Sequence, residues 1–405
     1  MRILIMFFIA ICLLTTGCQK SFSETFMPVG KLKATIPTDR FRYVSNDYDY
    51  LLVLLKEKKF PELTRELSVH QEAPKQDIAR ETDAESALKV FFRTDPALEP
   101  LFTEWVSQSS DTYPAYLARG VYYYARAAEA RGTATATQTS DAQFSGMERF
   151  LELSRKDFDH ALAIREDILM PYCYLLRMDR TLPDGEAQAK LTIEKVIRLF
   201  PYSLNARLAF LTTLMPRWGG SLDQMESFVK ASRAFYKGNP RLVLLEGRID
   251  LERGDERMIF NNDYEGALKF YDKARQYGDH PFLLQQRGYA LMWLERLDKA
   301  YADSKLALEM DPYAREALEN KEFCVFNKPT ISPRGLAEAL EDTERLLSFD
   351  PNSEVYLMRR AGIRYKEGKY AEAIVDYDRV LQTNPANSDA LRLKNRGIRH
   401  IQEGK

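Results

Sequence analysis

Along Glu354–Pro385 the small and apolar residues fall where two consecutive stacked helices need them. Ala361 sits in the middle of a first helix, where two backbones approach most closely. Ala373 and Val380 lie seven residues apart on a second helix, which puts them on one face. Tyr370, Ile374 and Tyr377 supply bulk between the layers, and Gly368 suits the turn because it tolerates positive φ. The frame recurs over Pro281–Pro312, with Gly288 at the close-approach position and Ala300 and Ala307 repeating the seven-residue interval. Both units carry a basic–small pair, Arg287 with Gly288 and Arg360 with Ala361. Pro351 to Pro385 is 34 residues and Pro312 to Pro351 is 39, so the unit between them carries about five extra residues. Asn327–Ser332 is the place for them, since Pro329 and Pro333 interrupt the helical pattern there. Ser332 and Pro333 then read as N-cap and first residue of the next helix.

Upstream the pattern persists with interruptions. Asp263–Ala274 makes a good second helix after Pro240, but Arg253–Asn262 reads as a long loop before it. Ala115–Ala127 matches a first helix with Gly120 at the close approach, and its partner comes late, after the low-complexity run Arg131–Ser140. Thr181–Pro201 and Ser221–Lys237 supply two more helices of the second kind.

These features resemble the tetratricopeptide repeat, a helix–turn–helix unit that cannot bury its apolar face alone and must stack on neighbours. The resemblance implies an all-α, tetratricopeptide-like α-solenoid of about 14–18 helices. Asp95–Val106, Ala118–Gly132 and Pro216–Val229 together also resemble an uncharacterised bacterial family with similar helices, over roughly residues 45–240. Its Trp-Gly-Gly-Ser motif reads locally as punctuation: Pro216 and Gly219–Gly220 stop one helix, and Ser221 with Gln224 caps the next.

Residues 1–17 read as a signal segment. Arg2 is followed by the apolar run Ile3–Leu14, too short to span a bilayer stably, and then by Thr16, Gly17 and Cys18. This resembles a bacterial lipoprotein signal, with Cys18 acylated and Gln19 favouring the outer membrane; an ordinary cleaved signal is the alternative. Residues 18–45 read as a tether, 46–239 as an irregular helical-repeat region, 240–386 as regular repeats and 387–405 as a capping helix.

A net charge of −1 gives no basic excess to attract nucleic acid. His70, His160, His280 and His400 are isolated from one another, and no metal, phosphate-loop or nucleophile-elbow motif is present. No cofactor is implied. Cys173 and Cys324 lie several repeats apart and read as buried free thiols. The expected role is non-enzymatic binding of a protein or peptide. In tetratricopeptide proteins the first helices line the concave face. Carried over residue by residue, that geometry gives Phe282, Gln285, Gln286, Tyr289 and Trp293, with Arg359 and Lys366, Arg248, and Tyr124. Phe282 and Trp293 suit interhelix packing equally well. The first functional expectation is a lipid-anchored scaffold or adaptor facing the periplasm. The alternatives are an inhibitor or immunity-type lipoprotein that neutralises a toxin or enzyme, and an unrecognised hydrolase.

Overall fold

In the computed structural model, residues 47–132, 136–182, 185–328 and 330–403 are described. The signal segment, Cys18 and the tether lie outside them. Among the described residues there are nineteen α-helices and no strand, arranged as a helical-repeat solenoid. That is one helix more than the upper end of the expected range.

The regular end is built as the spacing predicts. Helices α13 (Pro281–Trp293) and α14 (Leu297–Met310) form one pair, and α17 (Glu354–Lys366) and α18 (Tyr370–Thr383) another. Gly368 makes the second turn at φ 77°; Glu295 holds the same left-handed place at φ 56°, where a side chain is strained. Ala300, Ala307, Ala361, Ala373 and Val380 are all fully buried. The basic–small pairs also find a reason. Arg287 reaches the buried Asp303 on α14, and Arg360 forks onto the buried Asp376 on α18 at 2.7 and 3.0 Å. Each first helix is thus tied to its own second helix by a guanidinium–carboxylate pair with little solvent competition.

Helix α15 (Arg315–Phe326) precedes α16 (Pro333–Phe349), whose N-cap Ser332 accepts from the Gly335 amide. Ser221 likewise accepts from the Gln224 amide at the start of α10 (Leu222–Ser232). A methyl group on Gly220 would sit 2.2 Å from the Leu214 carbonyl oxygen, so this glycine is a packing requirement. Cys173 and Cys324 are buried and unpaired.

Two local expectations are corrected. Arg253–Asn262 is not a long loop: α11 runs unbroken over Gly247–Asn261, and Asn262 turns the chain in the left-handed region before α12 (Tyr264–Arg275). Gly288 is not forced by close approach, because an added Cβ would meet nothing nearer than 3.4 Å. Gly120 is: its Cβ would lie 2.6 Å from the buried Phe158 ring, where α5 (Tyr113–Arg131) packs on the 24-residue α6 (Asp141–Ile164).

The irregular end departs from a simple stack. Helices α1 (Asp49–Lys56) and α2 (Phe60–Gln76) lead into a short turn, Ile78–Arg80, and then α3 (Glu81–Lys89). Glu81, Ala84, Ala87, Leu88, Val90 and Phe91 are fully buried, and Asp83, Ser86, Arg93 and Thr94 nearly so. A nine-residue helix buried almost all around cannot lie on a surface. Ile78–Thr94 is an inner strap around which later repeats curl.

Candidate functional site

The strap's partners show where it runs. Arg241 donates to the Ala79 carbonyl and to Thr82. Glu81 meets the start of α9 (Leu204–Thr213), accepting from the Ser203 hydroxyl at 2.6 Å and from the Leu204 and Asn205 amides at 2.9 and 3.2 Å. A carboxylate there satisfies amides that have no partner within their own helix. Burial raises its pKa all the same, against the pull of Arg241 and these hydrogen bonds. Glu85 takes Arg177, from α7 (Met170–Asp179), at 2.7 Å. Lys89 reaches Asp311 at 2.6 Å, ahead of α15. Arg93 donates to Ser348 at 2.6 Å and lies 4.4 Å over the Phe349 ring, and the Thr94 amide donates to the Phe349 carbonyl. One short segment therefore touches junctions from Arg177 to Phe349. Tyr313 closes the body further, accepting from the Tyr48 amide at 2.7 Å and donating to Asp47 at 3.0 Å.

Some of the residues expected to line a concave groove pack against the chain's own strap or against their neighbours. Tyr124 packs edge-on against Phe92, next to the strap's Phe91, and against Tyr174. Gln285 is buried, and its carbonyl accepts from Asn320. Gln286 donates to Asp255 at 3.2 Å, and Arg359 donates to the buried Glu322 at 3.1 Å. Arg248 is buried over Phe282, with its guanidinium carbon 5.3 Å from the ring centre. Lys366 is exposed and lies 3.9 Å over the Phe326 ring. These residues are not gathered into one accessible surface.

Tyr289 and Trp293 behave differently. Trp293 is 58% exposed and Tyr289 40%. Tyr264 at the start of α12 stacks on Trp293 at 5.5 Å with planes 8° apart, and Tyr289 meets Trp293 edge-on at 6.2 Å. In the last turn of α11, Ile259 and Phe260 are exposed, Phe260 at 65%. Tyr264, Tyr289 and Trp293 form an aromatic ledge between two consecutive helix pairs, and Ile259 and Phe260 are exposed just ahead of Tyr264 in the chain. A stacked Tyr–Trp pair is rigid and amphipathic and loses little entropy on contact, which suits a docking anchor. The sequence singled out Tyr289 and Trp293 but missed Tyr264, Ile259 and Phe260. Tyr264 fell inside the second helix Asp263–Ala274 with no reading of its own, and Ile259 and Phe260 were assigned to a loop. The strap residues carried no local signal, because their partners lie one to three hundred residues away.

No protein-family model matches the chain, and no curated protein matches it. Solved structures similar to it include YrrB, described as a TPR protein with an unusual peptide-binding site, at 16% identity over 59% of this chain and 97% of that one, TM-score 0.31. Yeast Tom70 matches at 14% identity over 88% and 95%, TM-score 0.30. The Cut9–Hcn1 hetero-tetramer of the APC/C matches at 12% over 86% and 62%, TM-score 0.36. At such scores they assign no role to any residue here.

Proposed function

We propose that this protein is a non-enzymatic scaffold or adaptor that docks a protein partner on the aromatic ledge of Tyr264, Tyr289 and Trp293 and on the exposed Phe260 ahead of it. The carrying observation is the Tyr264–Trp293 stack, in which the half-buried Tyr264 props up an exposed Trp293, on a body whose inner face is partly filled by its own strap. We further propose that Cys18 is lipid-anchored and holds the body at a bacterial envelope membrane, the outer one facing the periplasm. This part rests on the sequence of residues 1–19 alone. Photo-crosslinking in the full chain tests the ledge. A benzoylphenylalanine in place of Phe260 or Trp293 captures a discrete protein, and one in place of Val375, equally exposed on α18, does not. Equal capture from both places refutes the assignment. Cys18→Ser releases the protein from the membrane fraction; an unchanged distribution refutes the anchor.

The inhibitor reading gains support from the same closure. A strap bonded from Arg177 to Phe349 gives a preorganised body, which suits a single tight partner. Formation of a stable stoichiometric complex with one enzyme or toxin, and loss of that enzyme's activity, distinguishes it from an adaptor.

A further inference from the structure

The last described helix, α19 (Ser388–Gln402), has two chemically different sides. Ala390 and Gly397 are buried, seven residues apart, and face α18: an added Cβ on Gly397 would lie 3.4 Å from the Ile374 side chain. His400 completes this side, stacked on the Tyr370 ring at 4.9 Å with planes 12° apart. The other side is open, and helical spacing sorts it into three parallel stripes. Arg392, Arg396 and Arg399 follow one another at i, i+4 and i+7, all exposed. Leu391, 49% exposed, and the half-buried Ile398 are seven apart and form the second. The exposed Asn395 and Gln402, also seven apart, lie between the two.

The helix carries four cations against one acid, in a chain whose net charge is −1. Little within the body neutralises the guanidiniums. Arg392 meets Asp389 at 2.8 Å, but both are well exposed and water screens the pair. Arg396 lies 5.6 Å over the Tyr365 ring, and among the described residues neither it nor Arg399 has an acid partner. Lys394, by contrast, is used internally, 2.6 Å from Asp378. Arginine donors fork onto phosphate oxygens. A basic stripe beside an apolar one is the form of a helix that lies in a membrane interface. An acidic peptide needs a groove to hold it, and this side is a convex helix surface.

We propose that this side of α19 docks on a lipid surface rich in anionic phospholipid, with the three arginines on headgroup phosphates and Leu391 and Ile398 at the acyl boundary. On its own such a contact is reversible. It rests on neither the aromatic ledge nor the anchor at Cys18, and it stands or falls independently of both.

The test places benzoylphenylalanine at Asn395 in the full chain and crosslinks it to vesicles of phosphatidylglycerol or of phosphatidylcholine, with lipid adducts read by mass. Each arginine near an anionic surface contributes about fivefold. Adducts at Asn395 are therefore at least about tenfold more abundant on phosphatidylglycerol, and they fall to the phosphatidylcholine level in about 0.5 M salt. The same label in place of Leu191, exposed on α8 (Gly185–Leu199), shows no such preference. Arg392→Gln, Arg396→Gln and Arg399→Gln together keep good helix formers on an open surface, so the melting temperature holds while the preference disappears. The salt arm needs none of these three substitutions, and Cys18→Ser leaves the ratio between the lipids as it is. Equal adducts on the two lipids, a preference that survives high salt or the triple substitution, or capture at Asn395 of an acidic protein in place of lipid from an envelope extract overturns the proposal.

Discussion

Replacing Arg93 by alanine tests whether the strap holds the solenoid closed. Arg93 is 2% exposed and joins three parts of the chain. Its Nε donates to the Val90 carbonyl at 2.8 Å, one terminal nitrogen to Ser348 at 2.6 Å and the other to Asp49 at 3.2 Å. Its plane covers Phe349 at 4.4 Å. Breaking a buried charge pair costs about 3–5 kcal/mol where the orphaned partner stays buried. Asp49 is half exposed and rehydrates freely, so the lower end applies. Adding the lost ring contact, worth about 1 kcal/mol, and crediting the relief of burying a guanidinium leaves a net loss of ~3 kcal/mol. Urea unfolding measures the loss, and hydrogen exchange locates it. The Thr94 amide, which donates to the Phe349 carbonyl, loses protection, while amides within α18 keep theirs. Arg93→Lys keeps the charge without the fork and falls between. A change below about 0.5 kcal/mol, or unaltered exchange at Thr94, would refute the reasoning.

Other outcomes follow from the packing and the buried charges. Gly120→Ala drives a methyl into the buried Phe158 ring and costs about 1–3 kcal/mol in thermal unfolding, whereas Gly288→Ala, with 3.4 Å of room, is neutral or gains a few tenths from helix propensity. Burial raises Glu322 to about 7, against Arg359, and Asp342 to about 6, against Lys321. Their folded pKa values exceed ordinary carboxylate values, so the stability they contribute is complete below about pH 4 and is lost as pH rises through 6 and 7. The urea midpoint therefore falls between pH 5 and pH 8, and Glu322→Gln flattens the slope; a midpoint that rises over this range contradicts the assignment. Glu295→Gly relieves the positive φ and raises the melting point, by about 1 kcal/mol of stability. Ending the chain at residue 386 removes α19 (Ser388–Gln402), uncovers the buried Tyr377 and Val380 side, and lowers solubility and melting temperature together.

The repeat units were legible because their signals are local. A seven-residue interval between small residues, a basic–small pair and a glycine turn each act within one helix pair, and the buried Ala300, Ala307, Ala373 and Val380 follow from them. Helix α11 was misread because the repeat pattern ends its first helix before Arg253, yet Gly254 inside that stretch is a contact. An added Cβ would lie 2.4 Å from the Tyr271 ring, so the position is chosen for packing rather than for a turn. The candidate binding residues were legible only in part. The resemblance to tetratricopeptide repeats picked out Tyr289 and Trp293, and it could not show that Gln285 turns inward or that α3 arrives from another part of the chain. Glu81 and Arg93 look like ordinary surface charges until their partners at Ser203 and Ser348 are brought to them.

The strap also sets the order in which the chain can be completed. A stack held only by neighbouring contacts can grow one repeat at a time as it is synthesised. Here the Thr94 amide and the Arg93 side chain wait for Ser348 and Phe349, some 255 residues later. Until those arrive, Arg93 and Thr94 lack their closing partners, although Phe91 already has Phe102 and Trp105 to pack against. A repeat inserted or deleted between Ser203 and Phe349 would shift every later junction along the strap. Such a body gives up the freedom of repeat proteins to lengthen and shorten by whole units, and its copy number is fixed by one internal ruler.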